Sequence, residues 1–206
     1  MYGRHGQSGH LHAIVGCMFS GKSDILVSRL LNARDIARLK VEAFGPLRDT
    51  RTETGFIGSR TGRKFPAQYV ADAPDILVSV HPETRIVGID ESQFFGFTIV
   101  HVAEQLVARG VDVIVSGLDT NFLGEPFNYV PQLLAVSDEV LRVYAVCDFR
   151  MKDGSVCGGR GLRTQLLAPA STNDPNSPDS VGDAEKYAAR CRDHFALPPV
   201  HRSGGE

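Results

Sequence analysis

Gly16-Cys17-Met18-Phe19-Ser20-Gly21-Lys22-Ser23 fills every defined position of the pattern G-x-x-x-x-G-K-[ST]. The glycines let backbone N–H groups curl around phosphate oxygens. A helix that starts here points its positive dipole end at the same anion. Lys22 is then placed to reach the β- and γ-phosphates, and Ser23 to ligate Mg²⁺. The flanks supply the context such a loop needs. Leu11–Val15 is a short apolar run that reads as a buried strand, and Lys22–Arg38 carries Leu26, Leu30, Ala33 and Ala37 on one helical stripe. Cys17 lies inside the loop. A small side chain at a tolerant position explains it; the other reading is a redox-sensitive thiol, since a helix N-terminus lowers thiol pKa.

Outward from the loop, strands alternate with helices. Val41–Phe44 is a second strand, Arg85–Asp90 a third, Val111–Leu118 a fourth and Val140–Val146 a fifth. Ala73–Val80, Ile99–Arg109 and Val130–Ser137 read as helices between them. That order argues for an α/β domain built on a mostly parallel sheet. Leu47–Tyr69 is rich in Arg, Thr, Gly and Ser and reads as a long loop or hairpin of functional character. At about Cys147 the composition changes: from there to Phe195 the chain carries three of the four cysteines, with much Gly and few apolar runs. Such a segment cannot build a large core of its own and calls for a metal staple. The organisation expected is a tail over 1–9, a nucleotide-binding domain over 10–146, a metal-binding module over 147–196 and a second tail over 197–206. Ser171–Ser180 reads as a mobile loop within the module.

Composition bounds the function. The chain of 206 residues is 42% hydrophobic and 22% charged, which excludes wholesale disorder. A net charge of -2 speaks against a general nucleic-acid binder. No apolar run approaches the ~20 residues of a membrane span. Met1–His10 is polar and Gly-rich, without the apolar region of a secretory signal. The expected location is the cytoplasm, where the cysteines would be free, catalytic or metal-bound.

Asp90 and Glu91 follow the apolar strand Arg85–Ile89. In phosphate-loop proteins an Asp at such a strand end holds Mg²⁺ directly or through water. Glu91 points to the other side of the extended chain and is free to face an acceptor. One carboxylate for the metal and one for proton removal suits phosphoryl transfer to a hydroxyl.

Gly16–Ser23, Asp90-Glu91-Ser92-Gln93-Phe94-Phe95 and Gly117-Leu118-Asp119-Thr120-Asn121-Phe122-Leu123-Gly124-Glu125-Pro126-Phe127 together resemble the type II thymidine kinases. So do Asp49-Thr50-Arg51, Ser59-Arg60-Thr61-Gly62, Val181–Tyr187 and Cys191-Arg192-Asp193-His194, in the same order along the chain. The resemblance runs from residue 11 to about 195. It implies a phosphate-loop, RecA-like domain with helices on both faces of the sheet and a small zinc-binding lasso domain. It implies transfer of the γ-phosphoryl of ATP, with Mg²⁺, to the 5′-hydroxyl of thymidine or a related pyrimidine deoxynucleoside. ATP and Mg²⁺ would lie on residues 16–23 with Asp90, Glu91, Ser92 and Gln93. Glu91 would be the general base, Ser23 and Asp90 the Mg²⁺ ligands, and Lys22, Arg51 and Arg60 the cations at the phosphates. Met18, Leu118, Phe122, Thr164 and Tyr187 would surround the base, with the backbone of Ser180, Val181 and Gly182 reading the pyrimidine. The family is usually a homotetramer that thymidine triphosphate inhibits, and it implies no nucleic-acid or membrane partner.

Cys147, Cys157, Cys191 and His194 offer three thiolates and an imidazole for structural zinc. Cys191-x-x-His194 has compact ligand spacing, whereas nine residues separate Cys147 from Cys157. The family normally has two residues there, so Asp148–Val156 carries an insertion. Other departures are Asn121 where the family often has Asp, Leu123 where it often has Arg, Ser92 for Ala, and Leu166 for a basic residue. The two leucines remove charged contacts and predict a preference for deoxyuridine or a 5-substituted pyrimidine over thymidine. Two readings compete with the kinase. One is a phosphate-loop ATPase or nucleotide-binding protein without a nucleoside substrate. The other is a zinc-ribbon nucleic-acid module using Arg142, Arg150, Lys152, Arg160 and Arg163.

Overall fold

The computed structural model describes residues 8–47, 55–58, 61–167, 175–176 and 185–197. In chain order the elements are β1 (Leu11–Val15), α1 (Lys22–Leu31), β2 (Val41–Pro46), β3 (Phe56–Gly58), β4 (Lys64–Pro66), β5 (Gln68–Val70), α2 (Pro74–Ser79), β6 (Ile86–Ile89), α3 (Thr98–Ala108), β7 (Asp112–Gly117), α4 (Val130–Val136), β8 (Glu139–Arg142), β9 (Ala145–Val146), β10 (Arg160–Gly161), β11 (Arg163–Leu166) and β12 (Tyr187–Arg190). Six strands form one sheet in the order β5-β2-β6-β7-β1-β8, and every pairing in it is parallel.

The period-2 alternation of the strands divides the core in two. Ala13, Val87, Ile89, Val113 and Val115 face α2, α3 and α4, where Ile76, Ile99, Leu106 and Leu133 are buried. Ile14, Ala43, Ile86 and Ile114 face α1 and the β3–β4 hairpin, against Leu26, Leu30, Ile57 and Phe65. Covered on both faces, β6 and β7 are buried along their whole length. Each fully buried Leu, Ile or Val contributes roughly 1.5–3 kcal/mol. The sheet thus combines helices on both faces with parallel strands, an α/β architecture.

Two local readings are corrected. The helix expected to reach Arg38 is α-helical only to Leu31 and continues as a wider turn over Asn32–Ile36. The Leu39 N–H donates to Ala33 O at 3.0 Å, and Arg38 closes the turn in the left-handed region at φ 57°. This widening keeps Ala33 buried and turns Ala37 to solvent. The fifth strand expected over Val140–Val146 is two strands in different sheets. Glu139–Arg142 pairs with β1, whereas Ala145–Val146 pairs antiparallel with β10. Within Leu47–Tyr69, read as a long loop or hairpin, β3 and β4 form an antiparallel hairpin, and β5 joins the edge of the main sheet beside β2.

Beyond β8 the small strands form two antiparallel pairs, β9 with β10 and β11 with β12. The Leu162 N–H donates to Arg190 O at 2.8 Å and joins them. The segment 148–156 is a tight hairpin, with a bridge between Arg150 and Val156 and the Cys157 N–H donating to Phe149 O. Among the described residues no helix is long and apolar enough to cross a membrane.

Candidate active site

Parallel register brings the C-terminal ends of four strands side by side: Val15 lies opposite both Gly117 and Arg142, and Ile89 opposite Val115. Ligands of open α/β sheets sit outside such strand ends. The loops leaving them carry residues 16–23, 90–93, 117–121 and 142–143.

The phosphate loop needs its glycines for two reasons. A Cβ on Gly16 would lie 2.2 Å from Val143 O, so only glycine lets the loop root pass under the end of β8. Gly21 caps α1 at φ 84°, a left-handed conformation that disfavours side chains. Lys22 is buried, and its Nζ donates to Cys17 O at 2.9 Å; the Ser20 hydroxyl donates to the same carbonyl at 2.7 Å. Burial pushes the Lys22 pKa below its usual value, opposed by the nearby carboxylates of Glu91, Asp90 and Asp119. An ammonium held among carboxylates in a desolvated site is placed to exchange a carbonyl for phosphate oxygens. Ser23 is the second residue of α1 and half-buried. The Cys17 thiol is 1% exposed and donates to Gly161 O at 3.1 Å. Burial pushes its pKa up, against the lowering effects of Ala145 and Lys22, so the structure favours the packing reading over a reactive thiolate.

Asp90 leaves β6 buried, with the Glu91 N–H donating to its Oδ1 at 3.0 Å. Burial first, and then the Glu91 charge, push Asp90 up to about 6. Glu91 itself sits in the left-handed region at φ 49°. A non-glycine residue held there stores strain of ~1–3 kcal/mol and is a common mark of a functional position. Its carboxylate accepts from Gln93 Nε2. Gln93 is 1% exposed, and its Oε1 in turn accepts from the Leu118 N–H at 3.1 Å. Asn128 Nδ2 donates to Gln93 O at 2.8 Å. Gln93, read from the sequence as a nucleotide contact, also braces Glu91 and ties it to the end of β7. Ser92 is buried against Gly117, where a Cβ would lie 2.6 Å from its hydroxyl oxygen.

Phe122, Leu166 and Tyr187 form a separate buried apolar cluster, with Met18, Phe19 and Leu123 packed on it. The Phe122 and Tyr187 rings lie 6.5 Å apart, centroid to centroid. Thr164 accepts from the Met18 N–H at 3.0 Å and so joins this cluster to the phosphate loop. The two leucines read as lost charges are gains of apolar surface: Leu166 is a wall of the cluster and Leu123 flanks it. Arg51 and Arg60, with Ser180, Val181 and Gly182, lie outside the described residues.

Cys147, Cys157, Cys191 and His194 converge so that their ligand atoms all lie within 4.8 Å of one another. Cys157 Sγ is 3.9 Å from Cys191 Sγ, and His194 Nδ1 is 3.8 Å from Cys147 Sγ and 3.3 Å from Cys191 Sγ. A tetrahedral zinc with ~2.3 Å bonds to sulfur has edges of about 3.8 Å, so three sulfurs and a nitrogen at this spacing fit that ion. Burial opposes ionisation of Cys147, but backbone donors at Cys191 and Phe149, with His194 and Cys157, bring its pKa down to about 6. The hairpin 148–156 explains how the wide spacing is tolerated. It loops out and returns, so the Cys147 N–H donates to Gly159 O and the Gly158 N–H to Cys147 O. Phe149 from that hairpin stacks on His194 at 4.2 Å.

Two buried residues were missed. Asp119, 8% exposed, pairs through Oδ2 with Arg142 Nε at 3.3 Å, across the root of the phosphate loop. Asn121, 1% exposed, holds the turn before Glu125. The motif glycine-leucine-aspartate contained the first signal, but its partner lies on another strand. Three of the five basic residues read as a nucleic-acid patch make internal contacts: Arg142 on Asp119, Arg160 over the Tyr144 ring and Arg150 on Gly154 O.

Comparison with known proteins agrees with this geometry. The sequence model of the family described as "Thymidine kinase" matches residues 9–195. The chain is 42% identical over 195 residues to a thymidine kinase of Coprothermobacter proteolyticus, covering 93% of each chain. It is 38% identical over 187 residues to a thymidine kinase of Bdellovibrio bacteriovorus, covering 91% of this chain and 85% of that one.

Proposed function

The chain belongs to the thymidine kinase family, and from that premise we propose that it transfers the γ-phosphoryl group of ATP to the 5′-hydroxyl of thymidine. The observation that carries the reading is the meeting of three features at one end of the sheet: the phosphate loop around Lys22, the braced Glu91, and the apolar cluster of Phe122, Leu166 and Tyr187.

In this reading the triphosphate lies along the backbone of Gly16–Gly21 at the N-terminus of α1. Lys22 leaves Cys17 O to neutralise charge that builds on the transferred group. Arg51 and Arg60 assist as further cations. Glu91, oriented by Gln93, takes the proton of the 5′-hydroxyl as that oxygen attacks, a role that contributes ~10²–10⁴ in rate. Ser23 and Asp90 would hold Mg²⁺, which supplies charge neutralisation between the phosphates. Asp90 suits a cation because its carboxylate is buried and raised: a metal there replaces the proton. The pyrimidine packs among Met18, Leu118, Phe122, Thr164 and Tyr187, with the backbone of Ser180–Gly182 reading its edge. The added apolar surface of Leu123 and Leu166 favours 5-substituted pyrimidines. Cys147, Cys157, Cys191 and His194 hold zinc, which fixes the base of the β11–β12 connection and takes no part in the chemistry. The two domains divide near residue 146. The chain works as a homotetramer, thymidine triphosphate inhibits it, and it acts in the cytoplasm, where ATP is present and thiols stay reduced.

The test is 5′-monophosphate formation from a panel of nucleosides with ATP and Mg²⁺. Thymidine or a 5-substituted relative should be phosphorylated. ATP hydrolysis indifferent to every nucleoside would overturn the reading.

A further inference from the structure

We propose that Asn121 is a positioning residue for the nucleoside: its amide fastens the connection between β11 and β12 to the turn that carries Phe122. The proposal rests on the nucleoside reading above.

Asn121 is 1% exposed. Its Oδ1 accepts two backbone N–H groups, from Leu123 at 3.0 Å and from Glu125 at 3.1 Å. Those two bonds decide which end of the amide is oxygen, because the NH₂ group cannot accept from an N–H. The Nδ2 is therefore the donor to its two remaining partners, Glu125 Oε2 at 3.3 Å and Asn176 Oδ1 at 3.1 Å. Both acceptor sites and both hydrogens of the amide are used, as burial of such a group requires.

The two ends of this side chain act on different things. Oδ1 shapes the turn from Asn121 to Glu125, which the Asn121 N–H to Glu125 O and the Gly124 N–H to Asn121 O also close. Nδ2 reaches across 55 residues of sequence to Asn176. Asn176 lies in the connection that leaves β11 at Leu166 and re-enters at Tyr187, residues that face each other across the strand pair. Leu166 and Tyr187 are also the partners of Phe122 in the apolar cluster. The connection therefore starts and ends on the wall of the proposed base pocket, and between those points it is tied to the residue next to Phe122. A neutral donor is required: a carboxylate at position 121 keeps the two accepted bonds but places a charge against Glu125 and has no hydrogen for Asn176.

The test uses the zinc-loaded, full-length protein with Asn176→Ala, Asn121→Asp and the double variant. Asn176→Ala should raise KM for thymidine about tenfold, the worth of one hydrogen bond to a buried amide, and Asn121→Asp, which also sets a charge against Glu125, at least as much. The kcat at saturation and KM for ATP should stay within about twofold. The double variant should be no worse than the poorer single one, because both remove the same bond. A wild-type KM in Asn176→Ala, effects that add in the double variant, or equal losses in kcat and both KM values would overturn the proposal. A second readout does not depend on catalysis. Amide hydrogen exchange over 167–186 should quicken in both single variants while β1, β6 and β7 keep their protection; unchanged exchange there overturns the latch. If the wild type phosphorylates no nucleoside, the functional reading falls, and the exchange result still decides whether the latch exists.

Discussion

The parallel sheet and the short strands after Ala145 solve the problem of stability in different ways. The sheet buries Phe44, Ile14, Leu26, Leu30, Ile89, Ile99 and Leu106 completely, on both faces. Among the described residues the short strands share two small apolar clusters, Cys17 with Ala145 and Ala189, and Phe122 with Leu166 and Tyr187. Each trio borrows a member from the larger region. What the second region lacks in apolar surface it replaces with four convergent metal ligands and a few polar ties. One region rests on burial, the other offers a Cys3His cluster that fits zinc, and the proposed active site lies where they meet.

The largest effect should come from removing the metal. Zinc supplies ~10–16 kcal/mol of binding free energy in small peptides, far beyond what two trios of side chains provide. Stripping it with a chelator, or changing Cys157→Ser, should expose the thiols and open β9–β12 to protease. The parallel sheet should keep its amide protection. If both regions melt in one transition at the same temperature, they are not stabilised separately.

A smaller effect should appear on the sheet side alone. Glu91→Gln should lower kcat by ~10²–10⁴, about 3–5.5 kcal/mol of barrier, with ATP affinity and melting temperature unchanged. The brace explains why stability is spared, since a glutamine still meets Gln93. A turnover within tenfold of wild type would remove Glu91 as the base.

Next in size is a pH effect confined to the sheet. The Asp90 carboxyl is raised to about 6 in the fold, first by burial and then by Glu91, against a usual value of 3.8. A folded state that holds its proton more tightly than the unfolded chain loses stability as pH rises between those values. The metal-free protein should therefore become less stable by about 1–3 kcal/mol from pH 4 to pH 6. Asp90→Asn should flatten that slope in denaturant titrations; a slope that persists would assign it to other groups.

These contrasts also explain what was legible in the sequence. Strands β6 and β7 announce themselves because burial along their whole length demands largely apolar runs. Gly16–Ser23 and Asp90–Glu91 are legible because a phosphate site is made by local chain geometry. By contrast, β5 is three residues at a sheet edge, with Gln68 exposed, and leaves no apolar run to read. The split of Val140–Val146 was hidden because Val140 and Val146 are both exposed, so the residues themselves do not say which sheet they join. The wide turn after Leu31 depends on where Ala33 packs. The ligand set Cys147, Cys157, Cys191 and His194 was readable by residue type, but how the hairpin 148–156 closes the gap was not. Asp119 on Arg142 and Asn121 on Asn176 were invisible because each contact joins distant segments.

The finest test concerns the joint itself. The Met18 N–H in the phosphate loop donates to Thr164 Oγ1 in β11 at 3.0 Å, so the small region holds part of the loop that the large region presents. Thr164→Val keeps the shape and removes the acceptor. A half-buried N–H then loses its partner, at a cost of about 1 kcal/mol. If the joint transmits position, KM for ATP should rise several-fold at saturating thymidine, and Thr164→Ser, which keeps the hydroxyl, should restore it. If only KM for thymidine moves, Thr164 serves the nucleoside pocket alone. The phosphate loop is then held by its own glycines and by Lys22 on Cys17 O, and the two regions meet at the site without one positioning the other.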